Sequence, residues 1–269
     1  MKVVILAGGY GTRLSEETDI RPKPMVEIGG KPILWHIMKI YSTQGFKDFI
    51  ICLGYKGEVI RNYFASLYLN SSDVTFNIKE GQFEVLRNTS LDWKVTLVDT
   101  GLDTLTGGRL LKIKDLIKED TFMMTYGDGV ADINLKNLLS FHEKHGKLAT
   151  VTAVKPPPRF GAINIDPSGR VISFEEKADD TENWINGGFF VLNLGIFKFI
   201  GDDQPYFEGY PLSNLAKDGQ LFAYKHRLWL SSIFPYFPQC LVASPQLFKY
   251  PFIAHAVDGS PETVVLVRK

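Results

Sequence analysis

The chain reads as an α/β fold, a mostly parallel central sheet with helices on both faces. Three observations carry that reading. Short apolar runs of strand length alternate with segments of helical periodicity. Glycine clusters follow the apolar runs at Gly8-Gly9 and Gly127-Asp128-Gly129. The 269 residues are 45% hydrophobic, enough for a sizeable core.

The elements follow in order. Val3 to Ala7 reads as a short buried strand, and residues 8–13 as a glycine loop. Pro22 and Pro24 keep the next stretch extended. Lys31-Pro32-Ile33 opens a helix whose Leu34, Ile37, Met38 and Tyr41 share one face, with Gly45 ending it. Phe49 to Leu53 reads as a second buried strand and Gly57 to Phe64 as a helix. Val74 to Phe76 and Lys94 to Val98 read as strands, with less regular chain between them. Gly107-Gly108 introduces a helix from Arg109 to about Ile117. Phe122 to Tyr126 is a buried strand running into Asp128, and a helix carrying Leu138, Leu139 and Phe141 follows, with Asp132 as its expected cap. Beyond residue 150 come the short strands Thr150–Val154, Gly161–Ile165, Val171–Glu175 and Gly188–Leu192, extending the sheet and supplying a second ligand pocket. No internal repeat or low-complexity linker divides the chain.

Composition narrows the function. Lys plus Arg equals Asp plus Glu at 30 each, so the basic excess of a nucleic-acid binder is missing. The two cysteines, Cys52 and Cys240, give no disulfide framework and point to a reducing cytosol. The opening apolar run is too short for a signal peptide, and no segment has the character of a membrane span.

The first loop lacks the third glycine of a dinucleotide fingerprint, and in Gly30-Lys31-Pro32 a proline replaces the Ser or Thr of a Walker A loop. A glycine loop with Arg13 and Lys23 suits a nucleoside triphosphate, because glycines let N–H groups approach phosphate and cations neutralise departing pyrophosphate. A tight turn with surface cations fits its composition equally well. Asp128, between two glycines after an apolar strand, fits an oxygen ligand for Mg²⁺ better than an Asx-turn residue. Lys177 would hold a sugar phosphate and Glu176 sugar hydroxyls, or both lie on a solvated turn. Asn186 and Gly187 would hold sugar hydroxyls or turn the chain. His36, His142 and His145 form no triad or metal cluster.

The run Leu6-Ala7-Gly8-Gly9-Tyr10-Gly11-Thr12-Arg13-Leu14, followed by Arg21-Pro22-Lys23-Pro24-Met25, resembles the signature of the sugar-1-phosphate nucleotidyltransferases. Glu27-Ile28-Gly29-Gly30-Lys31-Pro32, Thr106-Gly107-Gly108-Arg109, Thr125-Tyr126-Gly127-Asp128 and Ile185-Asn186-Gly187-Gly188 extend the likeness, closest to members using cytidine nucleotides. It covers roughly residues 1–227. The resemblance implies a Rossmann-like nucleotidyltransferase fold, CTP and glucose 1-phosphate as substrates, Mg²⁺ held by Asp128, and a cytoplasmic homo-oligomer in surface-polysaccharide synthesis. It places Leu6, Ala7, Gly8, Gly9, Gly11, Thr12, Arg13, Lys23, Thr104 and Arg109 at the nucleotide. Glu176, Lys177, Asn186 and Gly187 fall at the sugar phosphate. Arg13, Lys23 and Asp128 carry the catalysis.

The tail departs from the family. The family continues with a Met-Asp-Thr stretch whose Asp is a second metal ligand, and residues 228–269 lack it. They read as an atypical tail, not an independent domain. Two alternatives to the active cytidylyl enzyme stay open: an impaired nucleotide-sugar-binding protein, and a transferase using dTTP or UTP.

Overall fold

A computed structural model of the chain describes residues 1–10, 21–155, 162–165, 171–175, 184–201, 206–226, 231–232, 252–256 and 264–268. The elements are β1 (Lys2–Leu6), α1 (Ile33–Thr43), β2 (Asp48–Leu53), α2 (Gly57–Asn70), β3 (Ser72–Asn77), β4 (Gln82–Asn88), β5 (Lys94–Asp99), α3 (Thr106–Ile113), β6 (Thr121–Tyr126), α4 (Leu135–His145) and β7 (Ala149–Val154). After them come β8 (Ala162–Ile165), β9 (Val171–Glu175), β10 (Ile185–Asn193), α5 (Tyr210–Lys217), β11 (Leu221–His226), β12 (Phe252–Ala256) and β13 (Val264–Arg268).

Seven strands form the main sheet in the order β11-β7-β10-β6-β1-β2-β5. The pairs β6/β1, β1/β2, β2/β5 and β7/β11 are parallel, and β10 runs antiparallel to both β7 and β6. This is the mostly parallel sheet the sequence predicts, with one reversed strand. Alternate residues of β1 enter different cores. Val3 and Ile5 join Ile33, Ile37, Met38, Tyr41 and Phe49 on one face, while Val4 and Leu6 join Leu110, Ile113, Phe122 and Phe190 on the other. Burial on both faces explains why β1, β2 and β6 read as unbroken apolar runs.

Local differences have identifiable causes. Residues 82–88, expected to be irregular, form β4, which pairs with β3 as an exposed hairpin turned at Gly81 (φ +65°). With neither face buried it shows no alternation. Helix α2 runs beyond Phe64 to Asn70, although only Gly57 and Ile60 are buried in it. Helix α3 starts at Thr106, so Gly107 and Gly108 lie buried inside its first turn rather than before it; packing there outweighs their low helix propensity. The cap of α4 is Asn134, whose side chain accepts from Asn137 N–H, not Asp132. Asp132 instead accepts from His226 Nε2 at 2.9 Å.

His142 and His145 belong to a polar network between α4 and the sheet. The Lys147 N–H donates to His145 Nδ1, so in the neutral ring Nε2 carries the proton and donates to Thr150 Oγ1 at 2.7 Å. Thr150 then donates to His142 Nδ1 at 2.9 Å, and His142 Nε2 donates to Asn193 Oδ1 at 3.1 Å. Burial lowers the pKa of both imidazoles; His142 and Lys147 lower that of His145 further. The unfolded chain therefore takes up protons below about pH 6.5 that the folded chain refuses. Stability present above that pH should fall as acid is added through it, down to the depressed native values. Thermal melts at pH 7.5 and 5.5 check this: a His142→Gln/His145→Gln variant should lose less melting temperature on acidification than the parent, and equal losses would refute it.

Candidate active site

The carboxyl ends of β6, β1, β2 and β5 meet at one edge, and the chain passes from one side of β1 to the other between β5 and β6. Open α/β sheets bind ligands outside the strand ends at such a reversal. The register aligns Leu6 with both Cys52 and Tyr126. The loops after β1 (Ala7–Tyr10) and after β6 (Gly127-Asp128) therefore emerge side by side. Because β10 is reversed, its amino end, Asn186 to Gly188, reaches the same edge.

A cleft of about 590 Å³ opens there. Its floor is Leu6, Ala7, Gly8, Gly9 and Tyr10; the segment 102–106 with Arg109 forms one wall, and Lys23, Pro24, Tyr126, Gly127, Asp128 and Tyr206 complete it. Pro22 is extended, and the Met25 N–H donates to its carbonyl at 2.8 Å, opening a single turn over Lys23–Met25. That turn buries Pro24 and Met25 and presents Lys23 to the cleft. The Lys23 Nζ donates to Asp128 Oδ2 at 3.1 Å, across 105 residues of sequence. The pair joins a mostly covered ammonium to a carboxylate that is 40% exposed. Gly127 permits this approach, since a Cβ there would meet Pro24 Cγ at 2.9 Å and the Leu6 carbonyl at 3.1 Å.

Arg109 is 4% exposed and spends its guanidinium on the protein itself. Nη1 donates to Leu53 O at 2.9 Å, Thr100 Oγ1 at 2.6 Å and Gly101 O at 2.9 Å. Nη2 donates to Gly8 O at 2.9 Å and Leu102 O at 3.2 Å. Burial pulls its pKa below the ordinary arginine value. The side chain thus ties the glycine loop to the ends of β2 and β5. Both loop glycines it touches are required by the fit: a Cβ on Gly8 would lie 2.2 Å from Nη1, and one on Gly54 would lie 2.5 Å from the Gly8 carbonyl.

Thr104 also lines the cleft and accepts from Lys112 Nζ at 3.2 Å. Asn186 and Gly187 stand just behind the wall. Asn186 Nδ2 donates to Tyr126 Oη at 3.3 Å, and its Oδ1 accepts the Gly188 N–H at 2.8 Å. Gly187 is buried against β7, where a Cβ would meet the Thr152 carbonyl at 2.9 Å. Gly11, Thr12, Arg13, Glu176 and Lys177 lie outside the described residues.

Sequence reasoning missed three residues at this edge. Tyr126 donates to Glu208 Oε1 at 2.5 Å, and Thr106 donates to Glu208 Oε2 at 2.6 Å. Burial first, then the Glu208 carboxylate, push the Tyr126 pKa upward. Thr106 and Tyr126 stand in stretches that carry the family resemblance, without a role assigned to either; nothing marked Glu208.

The Nucleotidyl transferase family model matches residues 2–216, and the chain belongs to that family. It is 56% identical over 227 residues to the glucose-1-phosphate cytidylyltransferase of Salmonella typhi, covering 84% of this chain and 88% of that one. To the probable glucose-1-phosphate cytidylyltransferase of Bacillus subtilis it is 48% identical, with the same coverage. Among solved structures, HddC from Yersinia pseudotuberculosis superposes with a TM-score of 0.61 at 26% identity, covering 85% of this chain and 92% of that one. Among the described residues, no helix is long and apolar enough to cross a membrane.

Proposed function

We propose that the chain transfers CMP from CTP to glucose 1-phosphate, giving CDP-glucose and pyrophosphate, with Mg²⁺. The observation that carries this is the 56% identity to the Salmonella cytidylyltransferase, supported by a cleft that joins a glycine loop, a lysine and a carboxylate at the sheet's reversal point. A phosphate oxygen of glucose 1-phosphate attacks the α-phosphorus of CTP; that P–O bond forms as the bond to the β-phosphate bridging oxygen breaks, and pyrophosphate leaves with the electron pair. Leu6, Ala7, Gly8, Gly9, Gly11, Thr12 and Thr104 face the nucleotide in this reading. Arg13 and Lys23 neutralise the leaving pyrophosphate, while Glu176, Lys177, Asn186 and Gly187 serve the sugar phosphate. Arg109 belongs to the nucleotide side through the loop it holds.

Asp128 fits Mg²⁺. It is a hard oxygen donor lining the cleft, and Mg²⁺ takes one or two protein carboxylates and otherwise phosphates and water. When bound, the ion supplies charge stabilisation at the phosphates. Residues 1–227 form the catalytic domain and 228–269 a tail without the family's second acidic ligand. The protein works in the cytoplasm as a homo-oligomer.

Pyrophosphate release with glucose 1-phosphate and CTP, UTP or dTTP tests the activity. CTP should be used best, and the Mg²⁺ concentration for half-maximal rate should fall when a family-type tail carrying Met-Asp-Thr replaces residues 228–269. Faster turnover with UTP or dTTP would overturn the base assignment, no turnover with any would favour the binding-protein alternative, and an unchanged Mg²⁺ requirement would show that the tail does not limit metal binding.

A further inference from the structure

We infer that Glu208 is a positioning residue for the sugar side of the cleft, acting through the Tyr126 side chain. The inference rests on the sugar-phosphate transfer proposed above. Glu208 lies in the turn before α5, where Phe207 beside it is wholly buried and packs edge-on against Phe190. The Phe207 N–H donates to Thr106 Oγ1 at 2.8 Å, so the turn is fixed to the start of α3. From this anchored position each oxygen of Glu208 accepts one hydroxyl, Thr106 on the nucleotide side and Tyr126 at the end of β6.

Tyr126 is closely held where it borders the cleft. Its ring meets Phe190 at 89°, and a Cβ on Gly188, which stands at φ +80°, would come within 2.9 Å of it. Its hydroxyl donates to Glu208 and accepts from Asn186. One residue further on, Gly127 opens the way to Asp128. A chain of hydrogen bonds thus runs Thr106, Glu208, Tyr126, Asn186, from the nucleotide wall to the strand proposed to meet the sugar. Only a carboxylate gives both hydroxyls an acceptor, because a glutamine would present an amide N–H₂ to one of them. Without that acceptor the Tyr126 hydroxyl is free to turn, and the bond that Asn186 Nδ2 makes to it is loosened while the Gly188 N–H still holds Asn186 Oδ1.

The test uses the full chain and separates sugar from nucleotide. Calorimetry gives the affinities of CDP and CDP-glucose for the parent, Glu208→Gln, Tyr126→Phe and the double variant. A hydrogen bond to a charged group sets the scale at roughly tenfold or more. Glu208→Gln should weaken CDP-glucose by that factor and leave CDP within about twofold; Tyr126→Phe should do the same, and the double variant should be no worse than the weaker single. In steady-state assays the KM for glucose 1-phosphate should rise and that for CTP should not. Equal loss of both ligands, no loss, or additive losses would overturn the inference, as would CDP-glucose binding no tighter than CDP in the parent. Failure of the parent to release pyrophosphate would instead count against the proposed reaction, and the two affinities would still decide the role of Glu208.

Discussion

Asp128→Asn should lower the rate of pyrophosphate release by about 10²–10³-fold at saturating substrates, the usual loss when one electrostatic contact to a reacting group is removed. Asn keeps the shape of the side chain and can still accept from Lys23 through its amide oxygen, so the fold should survive; the carboxylate is 40% exposed and carries little of the core. What disappears is the negative charge a metal requires. Single-turnover rates with Mg²⁺ raised well above the parent's requirement check the assignment. Near-parental rates would show that Asp128 is not the metal's ligand, and a large loss of melting temperature would show that the Lys23 pair is structural.

Gly8→Ala should nearly abolish nucleotide binding in the parent and do far less in an Arg109→Ala background. The three nearest atoms that a Cβ on Gly8 would strike all belong to the Arg109 guanidinium, so removing that side chain removes the closest clashes. Arg109→Ala alone should be costly too, because it leaves four carbonyls and Thr100 Oγ1 short of a donor. Unpaired buried groups cost about 1–3 kcal/mol each, and carbonyls with second partners or access to water cost less. A loss on the order of 3 kcal/mol lowers the melting temperature by roughly 6–12 °C in a chain of this size. A double-mutant cycle in stability and in CDP affinity measures the coupling. Additive effects would mean that Gly8 is needed for some other reason. Arg109→Lys separates shape from charge: Lys keeps the cation but cannot span Gly8, Leu53 and Leu102 together, so full rescue by Lys would contradict the positioning role.

The sequence was most legible where one strand meets one loop. β1, β2 and β6 were visible as apolar runs because both their faces are buried, and Gly8-Gly9 and Asp128 were visible because each directly follows such a run. Lys23 was recognised through its motif, and its partner proved to be Asp128. The interior of the site was less legible. Arg109 sits in a glycine-rich segment that looked like a helix start, and its acceptors are backbone carbonyls as far away as Gly8, 101 residues back. No side-chain pattern announces a carbonyl. Glu208 precedes an ordinary short helix, and only the packing of Phe207 aims it at Tyr126. The reversed direction of β10 was also unreadable from its apolar character alone, yet it is what brings Asn186 to the working edge.

The Lys23–Asp128 contact has a consequence for the order of events under the proposed reaction. Before substrate arrives, the ammonium and the carboxylate are each other's counter-ion at 3.1 Å. A bare divalent cation entering first has to displace the ammonium held at that carboxylate; a bare triphosphate entering first draws the ammonium away and leaves a carboxylate beside phosphate. A cation already chelated by the triphosphate avoids both penalties. It brings a positive partner for Asp128 and a negative partner for Lys23 in the same encounter. The geometry therefore favours the metal–nucleotide complex as the species that docks, with free metal a poor first ligand.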